Sequence, residues 1–288
     1  MIVGIKVANS FFLELFFKYI MQNILVIGNG MVGFKFLQKF VEQENWSDDY
    51  NLIAFGEEPR IAYDRVHLSE YFAGKSDDDL SLSSKEWYAE NDIDLRLNEK
   101  VIAIDRDAKK IKTTKGAELS YDKLVMATGS IPFVPPVPGI EKEGVFVYRT
   151  IEDLVGITEY GKKSRTEAVI GGGLLGLEAA KAMVDMNLKT SVVEFASRLM
   201  PRQIDDDGSE VLVSKIEDLG VDVLMNRNTE EVLGDGEVAG MKFKDHDTLD
   251  VDMIVVSAGI KPQDELAREF GLEIGPRGGI TVDGNMLT

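Results

Sequence analysis

Residues 168–180 read AVIGGGLLGLEAA: three apolar residues run into three glycines and then into a helix-forming segment. Residues 24–34, ILVIGNGMVGF, repeat the device. Each stretch contains a G-x-G-x-x-G, with Gly28, Gly30 and Gly33 in the first and Gly171, Gly173 and Gly176 in the second. In such a turn the first glycine permits the tight bend and the second lets backbone approach a pyrophosphate. The third lets the following helix pack close to the strand. The helix N-terminus then offers free N–H groups and a partial positive charge to the phosphates. Glycines also mark ordinary turns, so the pattern gains its meaning from context: each copy follows an apolar run and opens a helix.

Working outward, the chain alternates strand and helix. Residues 23–28 predict a strand, 32–41 a helix and 52–55 a second strand, followed by strands at 101–104 and 121–127. Buried parallel strands read as short continuous apolar runs, as these do. The proline-rich IPFVPPVPG at residues 131–139 cannot be helix or central strand, because proline lacks the N–H and fixes φ; a domain crossing is expected there. A second cycle follows, with a strand at 168–171, a helix at 175–186 and strands at 190–194, 221–225 and 251–258. Asp205, Asp206 and Asp207 precede a further helix, as N-cap and dipole partners. Strands alternating with helices imply a parallel, doubly wound α/β sheet, here built twice.

Each copy also carries an acid near the end of its second strand, where a ribose 2′-hydroxyl would be bound. In the second copy this is Glu194, in SVVEF. In the first it is Glu57 or Glu58, in AFGEE, with the spacing stretched by the polar insert EQENWSDDY. A carboxylate accepts from a 2′-hydroxyl but repels a 2′-phosphate, so NADH is expected over NADPH at the second site. Two dinucleotide sites in one chain point to two redox cofactors held face to face, a tightly held flavin and an exchangeable nicotinamide. Hydride transfer between them needs alignment more than a protein acid or base. No catalytic dyad is found in the sequence, and none is required.

Composition sets the limits. A net charge of −18 opposes binding to nucleic acid and to anionic membranes. The absence of cysteine excludes disulfides, thiolate metal sites and a redox-active thiol pair. The two histidines, His67 and His246, are far apart in sequence; no metal site is expected, and His246 in KDHDTLD reads as a turn residue. Residues 1–20 are apolar but interrupted by Lys6, Glu14 and Lys18, so neither a signal peptide nor a membrane span is expected. They read as an N-terminal extension, and the expected location is the cytoplasm.

The tandem fingerprint, with ATG at residues 127–129 and AGIKP at 258–262, resembles the two-dinucleotide-binding-domain flavoprotein reductases. Within them the chain is most similar to the N-terminal part of the large subunit of NAD(P)H-dependent nitrite reductase. That likeness is carried by AYDRVHLSEYF (62–72), YDKLVMATGSIPFVPPVPG (121–139), VYRTIEDL (147–154), GGGLLGLEAAKAM (171–183) and RGGITVD (277–283), and it extends from Met21 onward.

The resemblance implies a glutathione-reductase-like fold of two Rossmann-like domains, the NAD domain inserted into the FAD domain. The expected limits are 21–139 for the first part of the FAD domain, 140–250 for the NAD domain and 251–288 for the return. It implies FAD held by Gly28, Gly30, Val32, Gly33 and Glu57, with Arg65 near the flavin or its phosphates and Val101 near the adenine. Ala127, Thr128 and Gly129, and likewise Gly259, would pass close to the cofactors. NADH would lie on Gly171, Gly173, Gly176 and Glu194, with Glu178 facing the nicotinamide. The implied partners are downstream iron–sulfur and sirohaem domains or a small electron-carrier protein, with a homodimer left open.

Two departures qualify the carry-over. Related reductases often carry lysine after the LS of the 62–72 loop, where this chain has Glu70. The chain also stops at ITVDGNMLT, before a segment that in the family closes over the flavin. The chain is therefore expected to be a fragment, to hold FAD weakly or not at all by itself, and not to reduce nitrite alone. Alternatives are an NADH:rubredoxin- or ferredoxin-type reductase and a non-catalytic nucleotide-binding fragment. Disulfide reductases and NADH peroxidases are excluded, because their chemistry runs through a cysteine.

Overall fold

The computed structural model describes residues 21–288; the expected extension at 1–20 lies outside the described residues. The chain divides into two compact units. Among described residues the first takes 21–64, Ser81–Gly129 and Pro262–Thr288, and the second takes Arg65–Leu80 and Ser130–Lys261. One unit is thus inserted into the other, as expected. The units divide at 129/130 and at 261/262. Phe133 N–H donates to Gly259 O at 2.8 Å, which ties the proline-rich connector and the end of the insert together.

The first unit is built on β1 (Gln22–Ile27), α1 (Met31–Val41), β2 (Tyr50–Phe55), β3 (Ile93–Arg96) and β4 (Lys123–Met126). Its strands form a parallel sheet in the order β3-β2-β1-β4. Both faces of β1 are buried. Ile24 and Val26 pack with Phe34, Leu37 and Tyr88, whereas Leu25 and Ile27 pack with Val101 and Ile111. Val101 and Ile111 come from an antiparallel three-stranded sheet of Val101–Asp105, Lys110–Thr113 and Glu118–Ser120. Each such aliphatic side chain, fully removed from water, contributes about 1.5–3 kcal/mol. The strand β3, IDLR, is missing from the sequence reading because it is short and carries charge at alternate positions.

The second unit repeats the plan with β5 (Val145–Val147), α2 (Ile151–Gly161), β6 (Thr166–Ile170), α3 (Leu174–Asp185), β7 (Lys189–Val193), α4 (Asp206–Asp218), β8 (Val221–Leu224) and β9 (Met253–Val256). The parallel order is β8-β7-β6-β9-β5. Because β9 pairs with β6, Met253–Val256 belong to this sheet, and the chain up to Lys261 stays with the second unit. Asp205 caps α4, its carboxylate accepting from Gly208 N–H at 2.9 Å. An antiparallel sheet of Thr229–Leu233, Gly240–Phe243 and His246–Leu249 covers one face, with Val232, Met241 and Phe243 against Ala168, Ile170, Ile254 and Val256. His246 therefore opens a strand rather than occupying a turn. Lys244 and Asp245 make the two-residue hairpin, and Phe243 pairs with His246 across it. Among the described residues no helix is long and apolar enough to cross a membrane.

Glu167 lies on β6 between Thr190 of β7 and Met253 of β9. It is fully buried, and neither carboxylate oxygen has a well-formed hydrogen bond. Burial pushes its carboxyl well above the usual value, opposed in part by the neighbouring Thr190 hydroxyl. The folded state thus holds this proton more tightly than the unfolded chain does. That contribution to stability is complete below the unfolded-chain value, about 4.5, and is lost as pH rises through the raised folded value. Glu167→Gln should therefore unfold at higher urea than the parent at pH 8, with the difference shrinking towards pH 5. An equal difference at both pH values would contradict this assignment.

Candidate functional site

In each parallel sheet the strand order reverses beside the first strand of the cycle, between β1 and β4 and between β6 and β9. Ligand crevices of open α/β sheets form at the carboxyl ends of strands at such reversals. Both glycine turns stand there, and their geometries coincide. Gly28 N–H donates to Phe55 O and Gly171 N–H to Val193 O, both at 2.9 Å. Both residues have positive φ, 109° and 118°. A Cβ at Gly28 would lie 2.2 Å from Ala127 O, and one at Gly171 would lie 2.4 Å from Ser257 O.

The third glycines are as constrained. A Cβ on Gly33 or Gly176 would lie 1.9 Å from the carbonyl oxygen of Gly28 or Gly171. The second glycines are the opposite case, because a Cβ on Gly30 or Gly173 would meet nothing within 4 Å. These two residues are the N-caps of α1 and α3, and neither helix has a side-chain cap. The first-turn N–H groups have no intrahelical partner. Val32 and Leu174, large apolar residues of those first turns, are 73% and 59% exposed. Open space, uncapped N–H groups and a positive dipole end fit a bound diphosphate at each turn.

The strand-end acids separate the two sites. Glu194 directly follows β7, with its N–H on Leu224 O at 2.9 Å. Its carboxylate accepts from Gly172 N–H at 2.6 Å and Ala196 N–H at 2.7 Å, which holds it against the glycine turn. Each oxygen keeps lone-pair capacity for a ribose hydroxyl. The equivalent residue after β2 is Gly56, whose N–H bonds Arg96 O at 2.9 Å. Glu57 is one position further on. It is exposed, pairs with Lys100 at 3.0 Å and accepts from Gln263 Nε2 at 3.4 Å. Glu58 accepts from the buried Tyr63 hydroxyl at 2.7 Å.

In the slot that Glu194 fills in the second unit, the first unit carries Asn29. A Cβ on Gly56 would lie 3.4 Å from Asn29 Cβ, much as a Cβ on Gly172 would lie 3.3 Å from Glu194 Cβ. Asn29 is buried, and its Oδ1 accepts from Tyr88 OH at 3.0 Å. Burial pushes the Tyr88 hydroxyl up to about 12, against the pull of that hydrogen bond.

The two strand ends after the turns are also equivalent. Ala127 N–H bonds Ile27 O and Ser257 N–H bonds Ile170 O, both at 2.8 Å, and Gly129 and Gly259 both have positive φ. Thr128 Oγ1 donates to Gln263 O at 2.7 Å. Val101 is buried at the start of the antiparallel sheet, paired with Thr113.

Arg65 and Glu178 fall in the second unit. Arg65 Nη1 donates to Arg149 O at 2.9 Å. Glu178 is half-buried one turn into α3. Burial raises its carboxyl and the neighbouring His67 lowers it. Glu70 forms an ion pair with Lys75. The nearness of His67 to Glu178 has no signal in the sequence, because 110 intervening positions separate them.

Two glycine turns at two sheet reversals, one unit inserted into the other, define a tandem dinucleotide-binding oxidoreductase fold. The sequence profile described as "Pyridine nucleotide-disulphide oxidoreductase" matches residues 22–288, and the chain belongs to that family. It is 48% identical over 265 residues to the "Nitrite reductase [NAD(P)H] large subunit" of Klebsiella oxytoca, covering 92% of this chain and 28% of that protein. It is 45% identical over 267 residues to the "Nitrite reductase (NADH) large subunit" of Escherichia coli (strain K12), covering 92% and 31%. The chain thus spans less than a third of the length of these relatives. Among solved structures, an NAD-dependent persulfide reductase from A. fulgidus matches with TM-score 0.85 and 28% identity, over 91% of this chain and 50% of that one. A water-forming NADH oxidase from Lactobacillus brevis matches with TM-score 0.80 and 25% identity, over 89% and 57%.

The glycine geometry separates folding from binding. Gly33→Ala should cost about 1–3 kcal/mol in thermal or urea unfolding, because its Cβ meets a carbonyl oxygen. Gly30→Ala should stay within about 0.5 kcal/mol of the parent. Gly30→Ala should nevertheless weaken binding of any dinucleotide whose diphosphate occupies the open space above the turn, because its methyl group enters that space. Equal destabilisation by both variants would be inconsistent with these roles.

Proposed function

We propose that this chain is the electron-input module of an NADH-dependent nitrite reductase, taking a hydride from NADH at the second turn for a flavin at the first. The observation that carries this reading is the duplicated turn, with an open second glycine and an uncapped helix in both units. The 45–48% identity to nitrite reductase large subunits supports the choice of acceptor over a rubredoxin- or ferredoxin-type carrier. Reduction of nitrite would belong to downstream iron–sulfur and sirohaem domains of the whole protein.

On this reading Gly28, Gly30, Val32 and Gly33 hold the diphosphate of FAD through the first-turn N–H groups of α1. Glu57 takes the ribose. Its exposed carboxylate supports that role over Glu58, which is committed to Tyr63. Ala127, Thr128, Gly129 and Gly259 line the strand ends, with Val101 at the adenine side and Arg65 towards the flavin. Gly171, Gly173 and Gly176 cradle the diphosphate of NADH, Glu194 accepts from its 2′-hydroxyl, and Glu178 lies towards the nicotinamide. When bound, NADH supplies the hydride and FAD the two-electron acceptor. The chain's own residues bind and orient the two coenzymes, and no side chain is required to move a proton from carbon.

Two measurements test the proposal. Anaerobic NADH should bleach the flavin absorbance of the FAD-loaded chain and drive ferricyanide reduction; a flavin that stays oxidised would refute it. kcat/KM should favour NADH over NADPH. Glu194→Gln, which keeps the shape but removes the charge, should narrow that ratio by about tenfold, or ~1.4 kcal/mol. An unchanged ratio would remove Glu194 from coenzyme selection.

A further inference from the structure

The two strand-end acids are held by different means. Glu194 is oriented by two backbone N–H groups, those of Gly172 and Ala196. Glu57 is exposed, yet each of its carboxylate oxygens also has a partner. Oε1 accepts from Gln263 Nε2 at 3.4 Å, and Oε2 lies 3.0 Å from Lys100 Nζ. Gln263 is 206 positions further along the chain.

Both partners rise from fixed backbone. Gln263 N–H donates to Gly129 O at 3.0 Å, and Gln263 O accepts from Thr128 Oγ1 at 2.7 Å. The next residue, Asp264, is buried. Its carboxylate accepts from Gly279 N–H at 2.7 Å and from Arg268 Nε and Nη2 at 2.9 and 3.0 Å. Lys100 N–H donates to Thr114 Oγ1 at 3.1 Å, and Lys100 O accepts from Thr114 N–H at 2.9 Å. Glu57 itself follows Gly56, where a Cβ would lie 3.4 Å from Asn29 Cβ of the first glycine turn. With the backbone already fixed on all sides, holding the carboxylate costs only side-chain freedom.

We propose that Gln263 is a positioning residue for Glu57, acting with Lys100 to hold that exposed carboxylate in one orientation beside the first glycine turn. This rests on the reading that the first turn takes FAD, with Glu57 on its ribose.

A carboxylate oxygen accepts more than one hydrogen bond, so each keeps capacity for one of two neighbouring ribose hydroxyls. The two holds differ in kind. The Lys100 pair is about half exposed on both sides, so salt screens it and its contribution is small. The Gln263 amide is neutral and directional, and salt leaves it in place. Gln263 also joins Glu57 to Thr128 and Gly129, so one residue ties the strand-end acid to the backbone that follows β4.

Titrations followed by flavin fluorescence should give an FAD Kd raised about threefold by Gln263→Leu, which removes the donor and keeps the bulk. Gln263→Glu should raise it further, because a second carboxylate then faces Glu57. Lys100→Met should have a similar effect at low ionic strength that fades in about 0.5 M salt. In a Glu57→Ala background Gln263→Leu should cause no further loss, because the group it positions is gone. An FAD Kd unchanged by Gln263→Leu, or raised equally with and without Glu57, overturns the positioning role. In the ligand-free chain the Gln263 side-chain amide resonances, assigned by their loss in Gln263→Leu, should shift in Glu57→Ala; resonances that stay in place also overturn it. If instead the first turn does not take FAD, Gly30→Ala will leave FAD affinity unaltered while the amide shift stands. The two failures are therefore distinguishable.

Discussion

In both units a carbonyl oxygen of the strand-end glycine sits where any side chain on the third glycine would begin, 1.9 Å from an ideal Cβ. That contact is the constraint from which the site follows. It brings the helix down onto the sheet immediately after the strand, so the helix N-terminus emerges at the point where the strand order reverses. It also explains the missing caps. A serine or aspartate at Gly30 or Gly173 would satisfy the orphan N–H groups but would fill the open space above the turn. The helices keep an uncompensated positive end, which is energetically reasonable where an anion is to be bound.

The two halves share this frame and differ in what fills the slot beneath it. In the second unit the strand supplies Glu194 and the turn supplies Gly172. In the first the turn supplies Asn29 and the strand supplies Gly56. Either arrangement packs, because one side chain enters from one side and a glycine makes room on the other. The electrostatic result is not the same. One slot holds a carboxylate locked to two backbone N–H groups, while the other holds a neutral amide bonded to a buried tyrosine. A duplicated scaffold thus acquires two different electrostatic environments beside its glycine turns through an exchange at only two positions. In the first unit the nearest strand-end acids, Glu57 and Glu58, stand one and two positions beyond Gly56, outside the packed slot.

The excursion of residues 65–80 has a comparable effect. It carries Arg65 and Phe72 out of the sequence neighbourhood of the first turn and seats them on Arg149 and Tyr148 of the second unit. A loop that reads in sequence as part of one nucleotide site therefore furnishes side chains to the other unit. The half-buried Glu178 gains the electrostatic influence of His67, which lowers its carboxyl against burial, and buried Tyr148 gains an aromatic neighbour.

The sequence by itself determined the duplicated α/β plan, because glycine spacing and apolar strand runs are local properties. β1, α1, β6 and α3 start and stop within a residue or two of the limits that their patterns predict. It also determined which glycines bear the turns and that Glu194 closes the second, since strand, turn and acid are read in one pass. Only the tertiary structure decided where one unit ends, because whether residues 251–258 pair with β6 or return to the first sheet is a long-range choice that apolar character does not distinguish. The same holds for Gly56 as the counterpart of Glu194, for β3 and the antiparallel sheets, and for His67 at Glu178. Each depends on hydrogen-bond register or packing between segments distant in the chain, and no periodicity within a segment encodes its partner.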